Sequence, residues 1–169
     1  MLVDIQTLSH GRAAFIDLET EIGPDKLTLS FQGIRLDRPP VFKGRLTAAG
    51  DGVFTLDGCL EATIRGECVR CLKPVIRALE IKVGEVFRPK AGQNGTETDD
   101  SYAYEGFVVD LLPALRDNLV LALPQKLLCR EDCRGICPDC GADLNETDCG
   151  CAARRSGVNA PFDQLKKLL

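Results

Sequence analysis

A chain of 169 residues, 44% hydrophobic and 27% charged, has the composition of a folded globular protein and length for one domain of roughly 100 to 130 residues plus an appendage, which excludes disorder, collagen and coiled coil as descriptions of the whole. No apolar run approaches the roughly 18 to 20 residues that span a bilayer, and Asp4 interrupts the N-terminus where a secretory leader would turn apolar, so a cytoplasmic location is expected. The net charge of −4 argues against coating nucleic acid by bulk positive charge. Any polyanion must be met locally, because charge is segregated: −2 over 1–58, +3 over 59–90, −5 over 91–123, −3 over 124–151 and +3 over 152–169.

In chain order, residues 2–8 and 13–22 read as weak strands or sheet edges. His10, the single histidine, has no nucleophile beside it and reads as a solvated turn residue. Between residues 41 and 87 apolar side chains recur at every second position, the period of a strand with one wet face. Phe54, Leu56, Leu60, Ala62 and Ile64 share one face, and Val75, Leu79, Ile81, Val83 and Phe87 form a second such row. With short turns at 48–52 and 68–74, the pattern predicts an antiparallel meander of three strands, mainly β, curled into a small open barrel to hide its apolar face. The acidic stretch 91–106 predicts a mobile loop with no site. Residues 110–123 predict a capping helix, with Leu111, Leu115 and Leu119 on one face, Asp110 as N-cap and Pro113 in the first turn. The expected division is a β-rich domain over 1–123 and a cysteine-rich tail over 124–169, packed on the hairpin tip at 68–71.

That tail is too poor in apolar residues to bury a core without a cross-link or a metal. It holds Cys129, Cys133, Cys137, Cys140, Cys149 and Cys151, six of the nine cysteines, which a cytosolic thiol pool keeps reduced. Two further thiols stand at Cys68-Val-Arg-Cys71. Two residues between cysteines let the backbone fold as a knuckle with both thiolates on one ion, and Pro138 and Gly141 make the second knuckle, CPDCG, the stronger of the two. Eight cysteines suffice for two tetrathiolate sites. The spacing favours Cys137, Cys140, Cys149 and Cys151 on one ion, with Cys129 and Cys133 crossing to Cys68 and Cys71. The alternative closes Cys129, Cys133, Cys137 and Cys140 together and leaves Cys149 and Cys151 to meet Cys68 and Cys71. Four thiolates without histidine suit one or two structural Zn2+ ions and leave no open position for catalysis, with an iron–sulfur cluster as the alternative cofactor. A redox role for Cys68 and Cys71 would need a helix N-terminus, whereas this motif joins two strands. Cys59 is left as a spectator thiol.

Hydrolase and phosphate-loop signatures are absent from the sequence, and no enzyme activity is expected. Arg65, Arg70, Lys73 and Arg77 gather around the first knuckle, where fixed cations meet phosphates at low entropic cost, and are the candidate RNA contacts. Arg154, Arg155, Lys166 and Lys167 add a basic group at the C-terminus. A tetrathiolate zinc carries a formal charge of −2, so the metal face of the tail should itself repel RNA.

Together, GECVRCLKPV at 66–75, LALP at 121–124, LCREDCRGICPDCGADLN at 128–145 and the terminal LKKLL resemble the YceD family, named for accumulation of large-subunit ribosomal RNA. The resemblance runs from about residue 30 to the end. It implies a non-enzymatic factor for synthesis, processing or stability of 23S rRNA and for large-subunit assembly, with rRNA or a pre-50S particle as partner. The rival is an adaptor that docks to a ribosomal protein or nuclease without touching RNA. Members of the family do not all carry the second cysteine cluster, which implies that the metal organises the fold.

Overall fold

The alternation over 41–87 becomes three long strands in the computed structural model, which describes residues 1–23, 26–27, 33–90 and 101–151. In chain order the elements are β1 (Leu2–Asp4), α1 (Gln6–Ser9), β2 (Phe15–Glu21), β3 (Arg35–Gly50), β4 (Val53–Glu67), β5 (Pro74–Pro89), β6 (Tyr102–Tyr104), β7 (Val108–Asp110) and α2 (Leu112–Ala122). A five-stranded sheet has the order β2-β3-β4-β5-β6, and β1 pairs with β7 in a second, two-stranded sheet. β2 and β4 run antiparallel to β3, while β6 is parallel to β5. The fold is thus mainly β with two helices. The sheets are not closed into a barrel: β2 and β6 are outer strands that no ladder joins among the described residues. The apolar face is covered by α2, whose Ala114, Leu115 and Leu119, with Leu111 just before the helix, sit in one buried cluster with Phe42, Leu46, Leu56 and Leu60.

The helix begins one residue later than expected, with Leu111 and not Asp110 as its N-cap. The Asp110 carboxylate accepts the Leu112 N–H at 3.0 Å and the N-terminal ammonium at 2.6 Å, and Pro113 occupies the first turn, where a missing N–H costs nothing. Residues 2–8 do not stay extended. Asp4 Oδ1 accepts the Gln6 N–H at 2.8 Å and turns the chain into α1. Pro39 and Pro40 cannot donate to the ladder, and the β3–β4 register shifts on either side of Arg38.

The loop expected over 91–106 is also corrected. Residues 91–100 lie outside the described residues, but Tyr102–Tyr104 form β6. Tyr102 lies in register with Phe87, and Tyr104 packs edge-on against Phe54 with ring centroids 5.5 Å apart and donates its hydroxyl to the Gly52 carbonyl at 2.6 Å. Two aromatics with somewhere to bury outweigh an acidic, glycine-containing context.

Gly44 and Gly58 face each other across β3 and β4, and the Phe42 ring lies over both. A Cβ on Gly58 would stand 2.6 Å from Gly44 Cα and 2.8 Å from Phe42 Cζ. Gly58→Ala therefore forces ring and strands apart, at an expected cost of about 2 kcal/mol of stability. Urea unfolding checks this, and an unchanged midpoint would show that the ring has room to move.

The chain divides into two compact units, Met1–Gly66 with Ile76–Gln125, and Glu67–Val75 with Lys126–Leu169. The tip between β4 and β5 is counted with the tail, not with the sheet.

Candidate metal centres

Within the second unit the two CxxC segments fold alike. In the first, the Leu72 N–H donates to the Cys68 carbonyl at 2.9 Å and the Cys68 N–H to the Lys73 carbonyl at 2.8 Å. In the second, Gly141 N–H donates to the Cys137 carbonyl at 2.9 Å and Cys137 N–H to the Ala142 carbonyl at 2.8 Å. The residue after the second cysteine is left-handed in both, Leu72 at φ 62° and Gly141 at φ 74°. Glycine takes that conformation freely, while a leucine there is strained by roughly 1–2 kcal/mol. Since Leu72 is exposed, Leu72→Gly is expected to raise stability by about 1 kcal/mol. A lowered midpoint in thermal unfolding would show instead that its side chain holds the knuckle.

The structure gathers Cys68, Cys71, Cys129 and Cys133 into one group and Cys137, Cys140, Cys149 and Cys151 into another, the four Sγ atoms of each within 4.8 Å of one another. Cys129 and Cys133 are not grouped with Cys137 and Cys140. No cysteine forms a disulfide. The Cys68–Cys133 and Cys71–Cys129 sulfurs are 3.7 and 3.5 Å apart, close to the edge of about 3.8 Å of a tetrahedron with metal–sulfur bonds of about 2.3 Å. These separations suit one ion per group and not a multi-iron cluster, which sets iron and sulfide between its cysteines.

The backbone has prepared the first sulfur of each knuckle. Burial raises the Cys68 thiol, but N–H groups of Cys129, Cys71 and Arg70 aimed at its Sγ outweigh this and bring it down to about 6. The N–H groups of Cys140 and Asp139 bring Cys137 down to about 7. Their neighbours move the other way. Cys129 is pushed up to about 12 by burial and by the thiols of Cys71 and Cys133, and Cys151 to about 12 by those of Cys149 and Cys140. Four sulfurs this close do not all ionise without a cation between them, and a bound cation removes that penalty.

Side chains that the sequence did not assign to the metal groups hold these groups in place, among them two of the candidate RNA contacts. Asn145 Nδ2 reaches Cys133 Sγ at 3.5 Å, and Asn145 Oδ1 accepts the Arg134 N–H at 2.7 Å. Arg70 Nη1 donates to the Cys133 carbonyl at 2.6 Å. Lys73 Nζ lies 2.7 Å from Asp143 and 2.6 Å from Glu146. Lys73, then the Asn145 N–H, hold the Asp143 carboxyl down at about 2. This ion pair therefore stabilises the fold above the ordinary carboxylate value of 3.8, and the contribution disappears as pH falls through about 2. Gly135, at φ 79°, passes so close to the tip that a Cβ would stand 2.9 Å from the Arg70 carbonyl oxygen. None of these partners carries a recognisable spacing, since each meets its counterpart only through the fold.

The family model described as "Large ribosomal RNA subunit accumulation protein YceD" matches residues 56–169, a span that includes all eight grouped cysteines. The chain belongs to the YceD family. An uncharacterized protein of Mycobacterium tuberculosis is 32% identical over 151 residues, covering 85% of this chain and 70% of the relative, and one of Mycobacterium leprae is 31% identical over 148 residues, covering 85% and 67%. The chloroplastic "Large ribosomal RNA subunit accumulation protein YCED homolog 1" of Zea mays is 24% identical over 160 residues, covering 77% of this chain and 55% of the relative. No solved structure matches.

The basic residues expected to face RNA in this YceD-family chain are divided by the fold. Arg70 and Lys73 belong to the second unit and have the internal partners just described. Arg65 and Arg77 belong to the first, where Arg65 Nη1 stands 3.5 Å from Asp37 Oδ1. Arg154, Arg155, Lys166 and Lys167 lie outside the described residues. His10 is exposed, with Nδ1 2.7 Å from the Gln6 carbonyl and its ring stacked on Phe107. Cys59, opposite Lys43 on β4, lies outside both groups, its thiol pushed up by burial and by Glu80 and Glu61. No helix among the described residues is long and apolar enough to cross a membrane.

Proposed function

We propose that this chain is a non-enzymatic cytoplasmic factor that supports the synthesis, processing or stability of 23S rRNA and thereby assembly of the large ribosomal subunit, its second unit held by two structural zinc ions. Family membership supplies the ribosomal direction. The observation that carries the structural half is the closure of both four-sulfur groups. With Cys68, Cys71, Cys129 and Cys133 around one ion and Cys137, Cys140, Cys149 and Cys151 around the other, every tetrahedral position is taken by a thiolate. Zinc so bound supplies folding energy and no place for an activated water. Arg65, Arg70, Lys73 and Arg77 are the candidate RNA contacts, and Arg65, Arg70 and Lys73 each have a partner within the fold.

The same internal pairing favours a second reading, an adaptor for a basic ribosomal protein or a nuclease. The described residues of the second unit carry +1 over 67–75 and −3 over 126–151 with thiols counted neutral, and each tetrathiolate zinc adds a formal −2. In-cell crosslinking of the tagged full-length protein separates the two readings. The RNA reading expects adducts on 23S rRNA, a fall of 23S relative to 16S rRNA on depletion, and in vitro binding that weakens steeply with salt. Adducts confined to protein would replace it with the adaptor. Unchanged 23S levels on depletion would remove both.

A further inference from the structure

The two groups of sulfurs differ in access and in what must move to open them. In the first, Cys68, Cys71 and Cys133 are buried at 0, 6 and 2% exposure in a cluster with Val75 and Leu128, and only Cys129 is exposed. Its ligands come from two chain segments, the Cys68–Cys133 pair being 65 residues apart and the Cys71–Cys129 pair 58. Around it the Val69 N–H donates to the Leu127 carbonyl, the Ile136 N–H to the Arg70 carbonyl, and Arg70 and Lys73 make the contacts described above. Detaching a ligand from this site means parting all of these. In the second group Cys137 alone is buried. Cys140 is exposed and Cys149 and Cys151 are half-buried. All four thiols come from one short stretch, whose loop is held by the Leu144 N–H on the Gly135 carbonyl and by the Lys73 pairs with Asp143 and Glu146.

We propose that the two sites hold their ions with unequal grip: the Cys68–Cys133 site is permanent, and the Cys137–Cys151 site exchanges its zinc with external chelators and is the first to be oxidised. The inference rests on the zinc reading above. A chelator or oxidant must reach the metal or its sulfurs before a ligand leaves, and of the two sites the second offers several accessible sulfurs. With a peroxide as oxidant, two of its cysteinates form one S–S bond and surrender two electrons. The O–O bond of hydrogen peroxide accepts them and, with two protons from solvent, leaves as two waters. The zinc, reduced from four protein ligands to two, dissociates. The first site keeps the tip joined to the tail throughout, so oxidation of the second alters one loop without unfolding the unit.

The test uses the full-length protein with its native metal, counted by native mass spectrometry, then challenged separately with excess EDTA and with hydrogen peroxide while a zinc-sensitive dye records release. Two phases are expected, each releasing one zinc, the first faster by about tenfold or more. Cys140→Ser is expected to hold one zinc and to show only the slow phase. Peptide mapping after the fast peroxide phase should place the disulfide among Cys137, Cys140, Cys149 and Cys151, with Cys68, Cys71 and Cys133 still reduced. Two zinc ions leaving together, or a first disulfide in the Cys68–Cys133 group, would overturn the inference and leave the zinc reading standing. A native protein without zinc would overturn both.

Discussion

Removing both metals from the full-length protein, with a strong chelator under reducing conditions, is expected to unfold the second unit and leave the five-stranded sheet in place. Among its described residues that unit buries Cys68, Cys71 and Cys133 in a cluster with Val75 and Leu128 packed against it, besides Leu127 and Cys137, so thiols are most of what is buried there. An apparent binding energy of about 10–16 kcal/mol for a structural zinc exceeds anything so few apolar groups supply. Cys133→Ser is expected to act like chelation of the first site alone. It removes a buried ligand whose carbonyl also receives Arg70 and whose sulfur receives Asn145. Hydrogen exchange read by mass spectrometry checks both. Protection of the Leu72, Ile136, Cys137 and Gly141 amides, all hydrogen-bonded in the structure, should vanish on chelation while strands β3 and β4 keep theirs. Retained protection in metal-free, reduced protein would show that the unit folds unaided.

Leu115→Ala is expected to lower the stability of the first unit by about 3 kcal/mol, because the cavity it leaves is walled by a sheet that cannot collapse onto it. Leu115 is fully buried on the face of α2 that packs on the sheet, in one cluster with Phe42, Leu46, Phe54 and Leu56. In thermal unfolding this corresponds to a drop on the order of 10 °C. Leu121→Ala, at a position 85% exposed, is the control and should change stability by less than about 0.5 kcal/mol. The metal content of both variants should match wild type, since the substitution lies in the other unit. Equal effects of the two substitutions would mean that α2 does not cover the sheet.

What was legible in the sequence follows from periodicity and spacing. The row Phe54, Leu56, Leu60, Ala62 and Ile64 is buried throughout, because a period of two leaves one face of a strand for the core whatever the neighbours are. Leu111, Leu115 and Leu119 are buried for the corresponding reason at helical spacing. The expected strand over 2–8 holds only for Leu2–Asp4, because Asp4 turns the chain through a hydrogen bond that no periodicity records, and β6 is not legible because Tyr102 and Tyr104 pair with Phe87 and Pro89 across the intervening chain. Arg70 and Lys73 look like an open cationic patch in the sequence, since their partners, the Cys133 carbonyl and Asp143, are about as far along the chain as the sulfurs they stand beside.

By itself the chain specified which residues are thiols, how the knuckles turn, and which strand faces are apolar, all of which depend on neighbours within a few positions. Only the tertiary structure chose between the two divisions of the thiols that the spacing allowed, brought Asn145 to a sulfur, and left the sheet open. The first of these depends on sulfurs 58 to 65 residues apart in the chain, and such distances are set by the packing of the fold, which local spacing does not encode.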